Sequence, residues 1–82
     1  MRTILKYEVQ NTDRPVIVMP DGANILAVGM QNDNMFLWAD VDTDNGERRY
    51  ELRVIGTGHP VPFGMTYVNT VFQGPFVWHI YK

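Results

Sequence analysis

The sequence predicts a small all-β protein, mainly of antiparallel sheet, folded as a compact barrel or sandwich. Apolar residues alternate with polar ones or run in short blocks, which is the pattern of strands and not of helices. Turn residues interrupt these blocks at close intervals. The chain has 82 residues, which is enough for one domain, 1–82.

Four strands are expected in the first half of the chain. Residues 3–9 (TILKYEV) and 14–19 (RPVIVM) are short apolar blocks that flank a polar connection. Residues 24–31 (NILAVGMQ) follow the turn residues PDGA, and a short helix over 22–30 is the alternative for this stretch. Residues 35–42 (MFLWADVD) carry apolar and aromatic side chains over the length of one strand.

Three strands are expected in the second half. They span 47–55 (ERRYELRVI), 66–73 (TYVNTVFQ) and 76–81 (FVWHIY). Asn45-Gly46 predicts a hairpin before the first of them, because both residues tolerate the positive φ of tight turns. Gln73-Gly74 predicts a second hairpin between the last two strands.

Several of these strands are apolar on both faces. Strict alternation places Met35, Leu37, Ala39 and Val41 opposite Phe36 and Trp38, and Ile25 and Ala27 opposite Leu26, Val28 and Met30. A sheet with one solvated face would instead alternate between apolar and polar residues. We therefore expect a homo-oligomer, a tetramer or a dimer, in which a second copy covers the other face. The alternative is that scattered exposed apolar residues are an ordinary surface feature.

Composition argues against several classes of function. The formal charge of −2 lacks the basic excess of DNA- or RNA-binding modules. The chain has no cysteine and only two histidines, so no metal and no cofactor are expected. No stretch approaches the ~18–20 apolar residues of a membrane span, and the start lacks a signal peptide. A cytoplasmic protein without a membrane partner is expected.

The loop 54–64 (VIGTGHPVPFG) contains the main candidate site, Gly56-Thr57-Gly58-His59. A Gly-x-Gly turn can point successive backbone N–H groups at an anion, and Thr57 and His59 would add side-chain donors. The more frequent role of Gly-x-Gly is a tight bend between strands. Catalysis by His59 would need an orienting partner and a nucleophile, and no spacing supplies them. No catalytic residue is therefore predicted.

Two arginines form a second candidate group. Arg49 and Arg53 are expected on one strand face together with Glu51. Guanidinium groups at this spacing can bind phosphate. The alternative is a solvated ladder of ion pairs, Arg–Glu–Arg.

Aromatic and polar residues form a third group. Trp38 and Tyr67, like Tyr50, Trp78 and Tyr81, offer rings on which a nucleobase can stack, although most such rings belong to cores or interfaces. Asn69 and Thr70 are polar in an otherwise apolar strand. Their polar groups need a partner, either a neighbouring strand or a ligand.

Several segments resemble a family of small proteins from bacteriophages and bacteria. The matching stretches, in the order of the family, are KYEV, MPDGANILAVGMQ, LWADVD, GTGH, YVNT and FVWHIYK, and they cover nearly the whole chain. This family resembles the one that contains the phage anti-CBASS sponge proteins. These are oligomeric proteins that sequester a cyclic dinucleotide signal without cleaving it. Asn69 departs from the family's usual YxGT, which has glycine there.

The resemblance implies a binding protein and not an enzyme. It implies a cyclic GMP–AMP-like ligand in a pocket at a two-fold subunit interface, where each loop is used twice. The residues that it implies near the ligand are Gly56, Thr57, Gly58 and His59 at a phosphate or sugar, Arg49 or Arg53 for charge, Tyr67 or Trp38 for stacking, and Asn69 and Thr70. The alternative function is a small adaptor or inhibitor that binds a host protein and no nucleotide.

Overall fold

A computed structural model describes residues 1–82 and shows an all-β chain. Its eight strands are β1 (Arg2–Glu8), β2 (Val16–Pro20), β3 (Asn24–Gln31), β4 (Asn34–Asp42), β5 (Glu47–Glu51), β6 (Arg53–Gly56), β7 (Tyr67–Gln73) and β8 (Phe76–Tyr81). The all-β prediction is confirmed, and the stretch 22–30 contributes a strand and no helix. None of the chain forms a helix long and apolar enough to cross a membrane.

The strands form three antiparallel sheets, in the orders β1-β4-β3, β2-β5 and β6-β8-β7. The predicted strand 47–55 is divided at Leu52, because β5 pairs with β2 whereas β6 pairs with β8. Segment 13–15 continues alongside β6: the carbonyls of Asp13 and Pro15 accept hydrogen bonds of 2.9 Å from the amides of Val54 and Leu52. Residues before β2 thereby reach the edge of the third sheet.

The two predicted hairpins have different outcomes. Gln73-Gly74 does join β7 to β8, with Gly74 at a φ of +55°. Asn45-Gly46 is a turn, but the hairpin prediction is wrong, because β5 pairs with β2 and not with the preceding β4. Neither residue adopts a positive φ. Instead, this turn docks on Asp21, whose amide donates to the Gly46 carbonyl at 2.8 Å.

The core lies between the sheets and centres on β4. Its Leu37, Ala39 and Val41 are buried, as alternation predicts, and Phe36 and Trp38 lie on the partly exposed side. The core cluster comprises Val9, Ile17, Met19, Ile25, Val28, Leu37, Ala39, Val41, Leu52, Val71 and Ile80. Ile55 is also buried but faces away from this cluster, because it pairs with His79 on the other side of β8 from Ile80.

A β-bulge in β3 overturns the alternation predicted there. The register shifts between Ile25 and Ala27, and one extra residue reverses the side-chain faces beyond it. Ile25 and Val28, which alternation places on opposite faces, therefore both point into the core. Leu26, at the bulge, is exposed.

The amide of Asn69 joins the first sheet to the third. Its Oδ1 accepts a hydrogen bond of 3.1 Å from the Val28 amide, and its Nδ2 donates one of 2.7 Å to the Val28 carbonyl. A register shift in β7 between Tyr67 and Asn69 accompanies this contact. The Asn69 side chain thus makes the two hydrogen bonds to β3 that a paired backbone would otherwise make. Its polar groups are satisfied by this neighbouring strand.

Candidate functional site

The tetrapeptide 56–59 forms a tight turn at the end of β6. The amide of His59 donates a hydrogen bond of 3.0 Å to the Gly56 carbonyl, and Gly58 has a φ of +89°, as in a type II turn. The imidazole of His59 lies over Gly56: a Cβ atom there would be 3.2 Å from its Nδ1 and 3.5 Å from the Trp78 ring. The turn therefore places His59 and Trp78 close to the same backbone position, and a side chain larger than that of glycine at position 56 would crowd them.

A cleft of about 370 Å³ opens beside this turn. We call it the arginine cleft. Its polar and aromatic lining comes from Asp13, Arg14, Arg53, His59 and Trp78. Gly56 and two prolines of the following loop complete the wall, so the turn, β6 and β8 all contribute.

The arginine cleft has a small positive excess in a chain that is acidic overall, because two arginines and one aspartate line it. Segment 13–15 runs along β6, which brings Arg14 alongside Arg53. The only ion pair of these two residues joins Arg53 Nε to Glu51 at 3.6 Å, and Asp13 pairs with neither. Adjacent guanidinium groups repel each other unless an anion lies between them, and their planar forks suit phosphate.

A second cleft of about 420 Å³ adjoins the first. We call it the amide cleft, because Gln10, Asn11, Asn34 and Gln73 line it. The two clefts share Asp13, Val54 and Trp78. The indole of Trp78 is held between them: its Nε1 donates a hydrogen bond of 2.8 Å to Gln73 Oε1, and its ring stacks on Phe76 at 5.5 Å.

A chain of hydrogen bonds runs across the opposite face of β8. Thr57 Oγ1 lies 2.8 Å from His79 Nε2, and His79 Nδ1 lies 3.0 Å from Thr70 Oγ1. The Thr70 hydroxyl continues to the Tyr67 hydroxyl at 2.7 Å. Three predicted site residues, Thr57, Tyr67 and Thr70, thus meet around His79, which the sequence interpretation did not include.

His79 carried a signal that could have revealed it. The predicted turn at Gln73-Gly74 sets the register of the two strands and pairs Gln73 with Phe76. Three residues further from the turn, the same register pairs Thr70 with His79, as observed. A neutral imidazole has one donor and one acceptor nitrogen. In that form, one of the Thr57 and Thr70 hydroxyls donates to the ring and the other accepts from it.

The comparison with known families gives one match over the full length. The family model described as a domain of unknown function, DUF7352, matches residues 1–82. The chain belongs to the DUF7352 family. No curated protein and no solved structure matches it. Both clefts and the hydrogen-bond chain of this DUF7352 domain lie within the matched residues.

Three other predicted site residues of the DUF7352 domain lie elsewhere. Trp38 is on β4, beside Gly29 of β3, and lines neither cleft. Arg49 is exposed on β5 opposite Val18 and makes no ion pair, so the predicted ladder is reduced to the pair of Arg53 with Glu51. Asn69 is engaged with β3. No group of three histidine, aspartate or glutamate side chains is arranged to hold a metal ion.

Proposed function

We propose that this protein binds and sequesters a cyclic dinucleotide of the cyclic GMP–AMP type without cleaving it. In a bacteriophage, it would withdraw the signal of the host's CBASS defence in the host cytoplasm and so allow immune evasion. The observation that carries the proposal is the arginine cleft, whose lining combines Arg14, Arg53 and His59 with Trp78.

The lining of this cleft matches the chemistry of a nucleotide. Guanidinium groups bind phosphate through paired N–H donors, and an aromatic ring stacks on a base of any identity. The turn at 56–59 contributes Gly56 and His59 to the wall of the cleft. Sequestration needs affinity and no reacting group. His79 is consistent with this, because both of its ring nitrogens are hydrogen-bonded to hydroxyls of the chain and neither is left to act on a ligand.

A second copy of the chain is part of the proposal. The arginine cleft, at about 370 Å³, lies near the lower end of the range of ~300–1,000 Å³ for ligand pockets. A ligand with two similar halves suits two such clefts related by a two-fold axis. Exposed aromatic rings at Phe63, Phe72 and Phe76 offer apolar surface for contact between copies.

Thermal unfolding with cyclic and linear nucleotides tests the proposal. A ligand at 100 times its Kd adds about 2.7 kcal/mol of stability, and for a domain of this size that raises Tm by about 15 °C. The cyclic dinucleotide should be recovered intact by chromatography after the complex is heated. Arg53→Gln should abolish the rise, whereas Arg49→Gln, outside both clefts, should preserve it. Linear products, or an equal loss in both variants, would contradict the proposal.

The competing function is a protein–protein adaptor or inhibitor. It is favoured by Phe63, whose side chain is fully exposed at 106% of its reference area, and by Phe72 at 71%. Exposed aromatic side chains of this kind anchor protein interfaces. If no nucleotide changes Tm while Phe63→Ser and Phe72→Ser prevent binding of a purified host protein, this function replaces the sponge.

A further inference from the structure

The two clefts form one continuous site with two unlike halves. The two clefts share three lining residues, Asp13, Val54 and Trp78. The clefts therefore adjoin as one groove, with the indole of Trp78 at the boundary between its halves. The arginine cleft contains two guanidinium groups and an imidazole, whereas no lysine, arginine or histidine lines the amide cleft. A ligand that fills both must therefore carry an anionic group at one end and a different polar chemistry at the other.

The amide cleft is lined by groups that mostly accept hydrogen bonds from a ligand. Its carboxylates are Glu8, Asp13 and Asp33, and none of them takes part in an ion pair. Its four amide side chains each offer a carbonyl oxygen as well as an NH₂ group. Below them lies an apolar floor of Val9, Met35, Val54 and Trp78. A flat, apolar ring with donors along one edge fits this arrangement.

We propose that the amide cleft recognises a guanine base, and that the arginine cleft holds the adjoining phosphate. This inference rests on the proposed function. Guanine presents two adjacent donors, N1–H and N2–H₂, which the two oxygens of one carboxylate can accept together. Adenine presents one amino donor beside a ring acceptor, N1, which a carboxylate oxygen repels. The phosphates are directed to the other half, because Glu8 and Asp33, which line only the amide cleft, disfavour them here.

Asp33 is well placed for such recognition, because a tight turn fixes its backbone. Asn32 and Asp33 both have positive φ, at 52° and 68°, as in a type I′ turn between β3 and β4. Aspartate and asparagine adopt this conformation more readily than other non-glycine residues. Asp33→Asn therefore removes the charge and exchanges one acceptor oxygen for a donor without straining the turn.

Calorimetric titration with four cyclic dinucleotides tests the inference. The ligands are cyclic di-GMP, cyclic GMP–AMP, cyclic di-AMP and cyclic di-IMP, whose hypoxanthine lacks the N2 amino group. We expect each guanine-containing ligand to bind at least about tenfold more tightly than cyclic di-AMP, in line with one bidentate contact to a base. Cyclic di-IMP should fall between them, because it keeps N1–H.

Charge-removing variants identify the residues. Asp33→Asn and Glu8→Gln should lower the ratio of cyclic di-GMP affinity to cyclic di-AMP affinity. Glu47→Gln, an acidic residue that lines neither cleft, should leave that ratio unchanged. An unchanged ratio in both cleft variants would overturn the inference.

The ligand panel separates this inference from the proposed function. Equal affinity for cyclic di-GMP and cyclic di-AMP, or a preference for adenine, together with loss of binding in Arg14→Ala, would overturn guanine recognition and leave the sponge intact. Binding of none of the four ligands would overturn both.

Discussion

The Nε2 atom of His79 lies 2.8 Å from the Oγ1 atom of Thr57, so β8 holds the turn at 56–59 through a side chain. On its other side, the ring is fixed by Thr70 at 3.0 Å. On the opposite face of the sheet, the rings of His59 and Trp78 both lie close to Gly56 of the same turn. The turn at 56–59 thus has Thr57 hydrogen-bonded to one face of the sheet and His59 packed on the other.

A double-mutant cycle should detect the contact between Thr57 and His79. Side chains that are in contact show interaction energies of about 0.5–3 kcal/mol in such cycles. The net contribution of one hydrogen bond to stability is about 0.5–1.5 kcal/mol. We expect Thr57→Ala and His79→Ala to be coupled by about 1 kcal/mol in urea unfolding, within that range. Thr43→Ala, whose hydroxyl bonds Met1 far from His79, should combine additively with His79→Ala. Additivity in both cycles would contradict the contact.

Gly58 should resist substitution for a backbone reason. A Cβ atom at Gly58 would meet no neighbouring atom, but its φ of +89° disfavours residues with a side chain. We expect Gly58→Ala to lower the free energy of unfolding by about 1–2 kcal/mol, the usual penalty for the left-handed region. Gly46 also has open space around it, and its φ is not positive, so Gly46→Ala should change stability by less than ~1 kcal/mol. Equal costs at both positions would refute the conformational argument.

Local patterns predicted most of the fold, and long-range pairing limited the rest. The strand bounds depend on short apolar blocks and turn residues, and those are local properties. The bulge at Leu26 is not a local property, because it depends on how β3 pairs with β4. The hairpin prediction at Asn45-Gly46 was wrong for a similar reason: β5 pairs with β2, whose central residue Val18 precedes its partner Arg49 by 31 positions. Local turn preference cannot reveal that pairing.

The candidate site was predictable only in part. The turn at 56–59 stood out through its glycines, and Arg53 through its charge. Arg14 was missed because it reaches the cleft only through the pairing of segment 13–15 with β6, which joins residues about forty positions apart. His79 was missed because the register that follows from the Gln73-Gly74 turn, which pairs it with Thr70, was not applied to the last two strands.

Asn69→Asp should destabilise the protein in a pH-dependent way. At neutral pH, one carboxylate oxygen would face the Val28 carbonyl, which now accepts from Nδ2, and the repulsion should cost about 2–3 kcal/mol. Protonation restores a donor, so the folded state raises the pKa of this carboxyl above its unfolded value of about 3.9. The folded state then binds more protons than the unfolded state, so the loss of stability relative to the wild type should grow as pH rises from about 4.

Urea unfolding of Asn69→Asp between pH 3 and pH 7 measures this trend against the wild type. Asn69→Leu is the control, because it removes both hydrogen bonds and introduces no titratable group. Its destabilisation should not vary with pH. If the two variants behaved alike across the range, the amide would not be bridging β3 and β7 as observed.

The pair of Arg2 and Asp40 should contribute to acid sensitivity. Hydrogen bonds from the Arg2 guanidinium, the shortest at 2.7 Å, lower the pKa of the Asp40 carboxyl. A lowered folded-state pKa means that the stabilisation is present above the unfolded value, about 3.9, and is lost as pH falls through the folded value. Arg2→Gln should therefore be less stable than the wild type at pH 6, and the difference should vanish near pH 2. Arg49→Gln, which breaks no ion pair, should show no such trend.

The two tryptophans allow the proposed site to be located by fluorescence. Trp78 lies between the two clefts, whereas Trp38 is on β4 and lines neither. A base that stacks on an indole quenches its emission, so we expect the ligand response to survive in Trp38→Phe and to disappear in Trp78→Phe. Calorimetry on both variants is the necessary companion measurement, because Trp78→Phe also removes the hydrogen bond to Gln73 and is expected to weaken binding. If the response disappeared in Trp38→Phe and persisted in Trp78→Phe, the base would stack on the first sheet, and the site at the turn would be wrong.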